Sequence, residues 1–147
     1  MSKVTQRGER FFPDDMPQPM ADTTTLGWWE AAAQHRLVVQ RCTSCAETRL
    51  PPAPICPSCR SDQADWKEVS GKGEVYTYTI VHRPMASDQA IPWVIAVVAL
   101  EDSGGKRMIS NLVDVDPERV EVGMPVEVVW ENMSEDLAVP RFRPTRR

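Results

Sequence analysis

Cys42, Cys45, Cys56 and Cys59 are all the cysteines of this chain, and they fall as two C-x-x-C pairs with ten residues between, CTSC-AETRLPPAPI-CPSC. A C-x-x-C turn aims two sulfurs at one point. Two such turns facing each other make the tetrahedral S₄ cage that Zn²⁺ accepts at about 2.3 Å per ligand. With all four positions filled by protein there is no open site for water. The spacing therefore predicts one structural metal ion per chain, Zn²⁺ in the first instance. The same cage accepts iron, as in rubredoxin. Thioredoxin-like redox chemistry would need a single C-x-x-C at a helix start. Pro51, Pro52 and Pro54 stiffen the connecting loop and lower the entropy lost on closing it. Glycine often follows the second cysteine of such a turn, because the backbone there takes positive φ. Ala46 and Arg60 stand in those places, so the turns are expected to be less ideal. The segment also has few large apolar residues, which makes the metal its folding device.

Little else in the chain has the form of a catalyst. There are two histidines, His35 and His82, and no G-x-S-x-G, H-E-x-x-H or phosphate-cradling glycine loop. Asp14-Asp15 lies in a polar arm without an acid/base framework. His82-Arg83, together with Lys106-Arg107, are the candidates for contacting an anion such as a phosphate. Tyr76 and Tyr78 are expected on one strand face, where rings can stack on bases or pack in a core.

The elements that must position these groups follow in order. Residues 1–24 read as an extended arm, with Phe11 and Phe12 as candidate contacts to a partner. Residues 25–70 read as a helix and metal ribbon. Thr23 to Thr25 offer capping hydroxyls, and Leu26, Trp29 and Ala33 define a face for a helix over 26–35. Trp28 beside Trp29 points elsewhere, so these two rings are candidate partner contacts as well as candidate core. Short strands over 37–40 and 66–69 flank the cysteines. From residue 71 to 147 the pattern is strands. GEVYTYTIV alternates, with Val75, Thr77, Thr79 and Val81 on one face. PWVIAVVALE is apolar on both faces and is expected to be doubly covered. Gly104-Gly105 makes a hairpin turn, RMISNLVDV and VEVVWE are further strands, DPER holds one possible helical turn, and AVPRFRP is the last strand. The fold class is mainly β: an N-terminal helix and ribbon followed by a five-stranded OB-like barrel.

Composition bounds the partners. Of the 147 residues, 41% are hydrophobic and 26% charged, an ordinary globular mixture, and 13 prolines favour turns and short strands over long helices. The net charge is −4. Between Glu101 and Asp136 ten acidic residues face three basic ones, whereas the last seven residues hold four arginines. An acidic body argues against general nucleic-acid binding. No apolar run approaches the roughly 20 residues of a membrane span. The first residues lack the apolar core of a signal peptide. The expected compartment is the cytoplasm, where thiols stay reduced and structural disulfides are rare.

The order of parts is itself informative. Trp28-Trp29-Glu30 precedes the paired cysteines with their P-P-A-P loop. W-x-x-V-S-G-x-G-x-V-Y-T-Y-T-x-V-H-R-P follows from Trp66 to Pro84, then V-A-L-E, N-L-V-D, V-G-M-P-V-E-V and P-R-F-R-P. Over about residues 25–144 the chain resembles the DUF35 family of zinc-ribbon OB-fold proteins. That resemblance implies a rubredoxin-like zinc ribbon before the OB-fold. It also implies a non-catalytic partner subunit, in a hetero-oligomer, of a thiolase-like or lipid-transfer-protein-like enzyme acting on acyl-CoA. It places the CoA or substrate site within that complex. The competing class is a nucleic-acid-binding ribbon-OB protein, and a rubredoxin-like electron carrier is a third.

Overall fold

The computed structural model describes residues 17–84 and 91–145. Phe11, Phe12 and Asp14-Asp15 lie outside them. Helix α1 (Leu26–Ala33) opens the described fold. Strands β1 (Val38–Cys42), β2 (Thr48–Arg49) and β3 (Ala64–Glu68) form a small antiparallel sheet in the order β2-β1-β3. Strands β4 (Lys72–Val81), β5 (Trp93–Leu100), β6 (Arg107–Leu112), β7 (Pro125–Asn132) and β8 (Ala138–Pro144) close a barrel in the order β4-β5-β6-β8-β7, the five-stranded OB arrangement. A 3-10 turn at Pro117–Arg119 joins β6 to β7, capped by the Asp116 carboxylate, which accepts from the Glu118 N–H. No helix among the described residues is long and apolar enough to cross a membrane.

The helix differs from the sequence reading in face and cap. Leu26 is half exposed, and Trp28, Ala31 and Ala32 are the buried residues. That i, i+3, i+4 stripe meets β1 and β8. Thr25 makes no capping bond to the helix. Instead Asp22 Oδ1 accepts from the N–H groups of Thr24 and Thr25 and from the Thr25 hydroxyl, at 2.8–2.9 Å, while Thr25 Oγ1 accepts from the Asp22 N–H. This reciprocal arrangement holds the Asp22 carboxyl below its usual range, through the Thr25 hydroxyl bond first.

Both tryptophans of the pair are taken up by the chain's own core. Trp28 is buried and its indole N–H donates to the Val38 carbonyl at 3.0 Å. Trp29 meets it edge to face at 4.7 Å and is half-buried against the same cluster. His35, just past the helix, takes φ +57°. Its ring stacks on Trp130 of β7, and its Nε2 lies 2.7 Å from Asn132 Oδ1. The helix end is thereby pinned to the barrel.

A bulge between Val75 and Thr77 interrupts the simple alternation expected of β4. Val75 points into the barrel and is fully buried, but Thr77 is exposed, and after the bulge it is Tyr78 and Ile80 that pack against the core. One inserted residue swaps the faces of everything beyond it. Tyr76 and Tyr78 therefore do not share an environment: Tyr76 is half exposed with the Arg107 guanidinium 3.6 Å above its ring. In β5, Val94, Ala96, Val98 and Leu100 fill the barrel, while Ile95, Val97 and Ala99 are half-buried outside, next to Ile109, which is 74% exposed. The strand is covered on one face and only partly on the other.

Inside the barrel wall a buried ion pair fixes the closing strands. Arg141 Nε donates to Glu131 Oε2 at 2.8 Å, and its Nη1 donates to Asn111 Oδ1 at 2.9 Å. Asn111 in turn donates to the Val94 carbonyl. Four strands are thus tied by three side chains. Arg143 pairs with Glu127 in the same strand couple, so two of the four C-terminal arginines are committed to β8, not to a free basic tail. Removing one partner of such a buried pair strands the other charge. Glu131→Ala is expected to cost about 3–5 kcal/mol of unfolding free energy. The check is urea denaturation, where the midpoint should fall with little change in slope. A loss below about 1 kcal/mol would mean that Arg141 is satisfied without this carboxylate.

Candidate metal centre

The ribbon brings all four sulfurs together, within 4.8 Å of one another. Cys42 ends β1 and Cys45 lies in the turn that follows it, and Cys56 and Cys59 lie in the turn before β3. Each turn closes on a backbone bond, Ala46 N–H to the Cys42 carbonyl and Arg60 N–H to the Cys56 carbonyl, both 2.9 Å. The two turns are joined by Ser44 and Ser61, whose hydroxyls meet at 2.9 Å. Cys42 and Cys56 are fully buried; Cys45 and Cys59 face outward.

Distances identify the chemistry. Cys42 Sγ–Cys59 Sγ and Cys45 Sγ–Cys56 Sγ are both 3.6 Å. A disulfide needs about 2.05 Å. The edges of a tetrahedron with about 2.3 Å metal–sulfur bonds are about 3.8 Å. The donor set therefore fits one tetrahedral ion that prefers thiolates.

The electrostatics agree. Backbone N–H groups of the turns point at sulfur: those of Cys45 and Ser44 hold the Cys42 thiol below its usual value, and those of Cys59 and Ser58 bring Cys56 down to about 6. The Glu47 N–H acts the same way on Cys45, but the partial loss of water around this sulfur and the neighbouring sulfurs of Cys56, Cys59 and Cys42 outweigh it and carry that thiol up to about 12. Four sulfurs at this separation cannot all ionise alone. A divalent cation removes that conflict.

Ala46 and Arg60 do take the left-handed backbone expected after each second cysteine, at φ +65° and +67°. The turns form without glycine, at the cost of that conformation.

The loop between the turns is held by residues that the spacing of cysteines did not reveal. Gln40 and Arg49, paired across β1 and β2, are 7% and 6% exposed. Gln40 Oε1 accepts from the Arg49 Nε–H and from the Ala53 N–H, both at 2.8 Å, and Arg49 Nη2 donates to the Ala53 carbonyl at 3.1 Å. A polar residue in the apolar run LVVQ, and an arginine just before Leu-Pro-Pro, were the available signals.

The ribbon is also fastened to the barrel. Thr48 Oγ1 donates to the Ser103 carbonyl at 2.7 Å, Lys106 pairs with Glu47 at 3.1 Å, and Lys67 Nζ donates to the Asp102 carbonyl. Gly104, at φ +73°, lies so close that a Cβ there would stand 2.5 Å from Thr48 Oγ1.

These contacts bear on the anion candidates. Lys106 is engaged with Glu47, and Arg107 covers Tyr76. His82 and Arg83 are exposed just past the end of β4, where Val81 pairs with Trp93. Arg107 pairs with Ala99 near the far end of β5. The two basic pairs are thus separated by most of a strand, roughly 20 Å at 3.3 Å per residue. They do not form one site.

Two families match the chain: the rubredoxin-like zinc ribbon domain of ChsH2 over residues 29–65, and the C-terminal OB-fold domain of ChsH2 over residues 66–131. The chain is 41% identical over 142 residues to a probable enoyl-CoA hydratase alpha subunit of Thermomonospora curvata, covering 97% of this chain and 44% of that protein. It therefore spans less than half the length of that relative. It is 38% identical over 112 residues to a DUF35 domain-containing scaffold protein of Methanocaldococcus jannaschii, covering 74% of this chain and 77% of that one. Among solved structures it is similar to a chain of an Ltp2-ChsH2(DUF35) aldolase, with a TM-score of 0.80 and 41% identity over 86% of this chain and 98% of that one.

Because Ala46 is held at positive φ, Ala46→Gly should stabilise the loaded ribbon by about 0.5–1 kcal/mol, the left-handed penalty less the entropy glycine loses. Thermal unfolding of the metal-loaded chain is the measurement, with helix-interior Ala32→Gly as the opposite-sign control. An Ala46→Gly chain that melts lower would show that this backbone strain is absent.

Proposed function

The chain belongs to the DUF35 family of zinc-ribbon and OB-fold proteins, and from that premise we propose that it works as a non-catalytic accessory subunit of an acyl-CoA-acting complex. Its partner is a thiolase-like enzyme that makes or breaks a carbon–carbon bond beside a CoA thioester, by thiolase or retro-aldol chemistry. The assembly is a hetero-oligomer in the cytoplasm, and the chain's task in it is to stabilise the partner and support its CoA end.

One observation carries this reading: 98% of a chain from an Ltp2-ChsH2(DUF35) aldolase is matched at 41% identity, ribbon and barrel together. The match to a hydratase alpha subunit supports it from a second side, since the same ribbon-barrel unit occupies 44% of a larger CoA-related subunit there.

Cys42, Cys45, Cys56 and Cys59 hold one structural Zn²⁺ in this reading. The ion supplies cross-linking and charge neutralisation, with no open coordination position. What the chain supplies is the pair of turns, their N–H groups aimed at sulfur, and a ribbon of residues 37–69 in which Leu37, Val38, Val39 and Val69 join the buried apolar cluster. Removing one ion per chain with a chelator should raise amide exchange across residues 37–69 before the barrel strands respond. Exchange that stays unchanged after complete metal removal would rule out the structural role.

The function itself is tested by affinity purification of the tagged chain from its own cells. A thiolase-like polypeptide at near-equal abundance is expected. Recovery of RNA alone, lost at high salt, would replace the reading with a nucleic-acid-binding barrel.

A further inference from the structure

Most buried polar side chains of the described fold are satisfied within their own networks: Glu131, Arg141 and Asn111 with one another, Ser103 and Ser110 with backbone carbonyls. Arg49 is different. It is a buried guanidinium that, among the described residues, has no carboxylate in hydrogen-bonding reach and whose buried Nη1 has no partner. Burying such a cation is costly. Its two bonds show what it holds.

Both go to the grip on Ala53. That residue sits between Pro52 and Pro54, after Pro51, and proline has no N–H. Ala53 is therefore the one residue of 51–54 with a backbone donor. Gln40 Oε1 takes that donor, and Arg49 Nη2 takes the Ala53 carbonyl. Gln40 and Arg49 are themselves bonded and cross-strand partners. The middle of the cysteine loop is thus fastened, on both of its polar groups, to the β1–β2 pair. Gln40 is two residues before Cys42 and on the same face of β1. Ala53 is three residues before Cys56, within about 11 Å along even an extended chain. Displacing Ala53 would displace Cys56 from Cys42.

We propose that Gln40 and Arg49 act as a clamp on the loop between the two C-x-x-C turns, and that opening this clamp controls how fast the cage releases its metal ion. The inference rests on the reading of the four cysteines as a metal site. Gln40 and Arg49 are positioning residues, with no sulfur contact of their own. The planar fork is essential, because one guanidinium must reach the Gln40 oxygen and the Ala53 carbonyl together.

The test uses the zinc-loaded full chain. Zinc release to an excess of a chromophoric chelator gives the rate, and exchange of the Ala53 amide reports the clamp directly. Arg49→Met keeps the stem and removes the fork. It should speed release by about 10-fold, the lower end of the affinity loss when a group that orients metal ligands is removed, and should expose the Ala53 amide while barrel amides such as Val98 stay protected. Arg49→Lys should not restore the slow rate. Gln40→Leu, which removes the shared acceptor, should behave like Arg49→Met and serves if that variant does not fold. Wild-type release from Arg49→Met or Gln40→Leu overturns the clamp. Restoration by lysine overturns it too, in favour of charge alone. A wild-type chain that binds neither zinc nor cobalt would instead overturn the metal reading beneath it.

Discussion

Four sulfurs held at tetrahedral spacing are the constraint from which the ribbon follows. Residues 37–69 have few large apolar side chains, and their conformation is specified by turns and backbone bonds around four clustered sulfurs placed to hold a metal ion. The turns accept that role in detail. The Ala46 and Arg60 N–H groups close the turns on the Cys42 and Cys56 carbonyls, and inside the turns so closed the N–H groups of Ser44, Cys45, Ser58 and Cys59 point at sulfur and favour thiolate. Geometry and charge are two results of one local conformation.

The ribbon is not a bead on a string. Its β2 edge is bonded to the β5–β6 hairpin through Thr48 and Ser103, and charged side chains on either side, Glu47 with Lys106 and Lys67 with the Asp102 carbonyl, close the same seam. Behind that seam one apolar cluster runs from Trp28 and Val38 through Val69 into Val75, Val98 and Phe142. Gly71 stands at the passage between the units, at φ +77°, where a Cβ would lie 2.3 Å from Val128 Cγ1. The junction is packed too closely for a side chain. Ribbon and barrel are therefore held to each other by hydrogen bonds, ion pairs and a shared apolar cluster.

Much of the architecture was legible along the chain. The cysteine spacing, the β-branched strands and the Gly-Gly hairpin act locally, over a few residues, and local rules describe them well. The helix was placed correctly to within two residues, but its face was not. An eight-residue helix with four alanine or glycine positions offers little periodicity, and the burial of Trp28 is decided by the Val38 carbonyl and by β8, far away in sequence. The β4 alternation failed at Tyr76 because a bulge depends on the register of the facing strand. The basic residues at 82–83 and 106–107 looked alike in sequence. Only strand pairing shows that they sit at opposite ends of the sheet and that Lys106 is already engaged.

The sequence by itself determined that four cysteines are spaced for a metal ion and that a five-stranded barrel follows, because ligand type, ligand spacing and side-chain period are properties of short segments. The tertiary structure decided which polar groups are free to act. Gln40, Arg49, Glu131 and Arg141 are polar or charged residue types that are usually exposed, and each is buried here with partners on a neighbouring strand. Burial converts a common polar side chain into a costly one, and its partners then define its role. No rule acting along the chain can supply those partners, since they come from pairing across it.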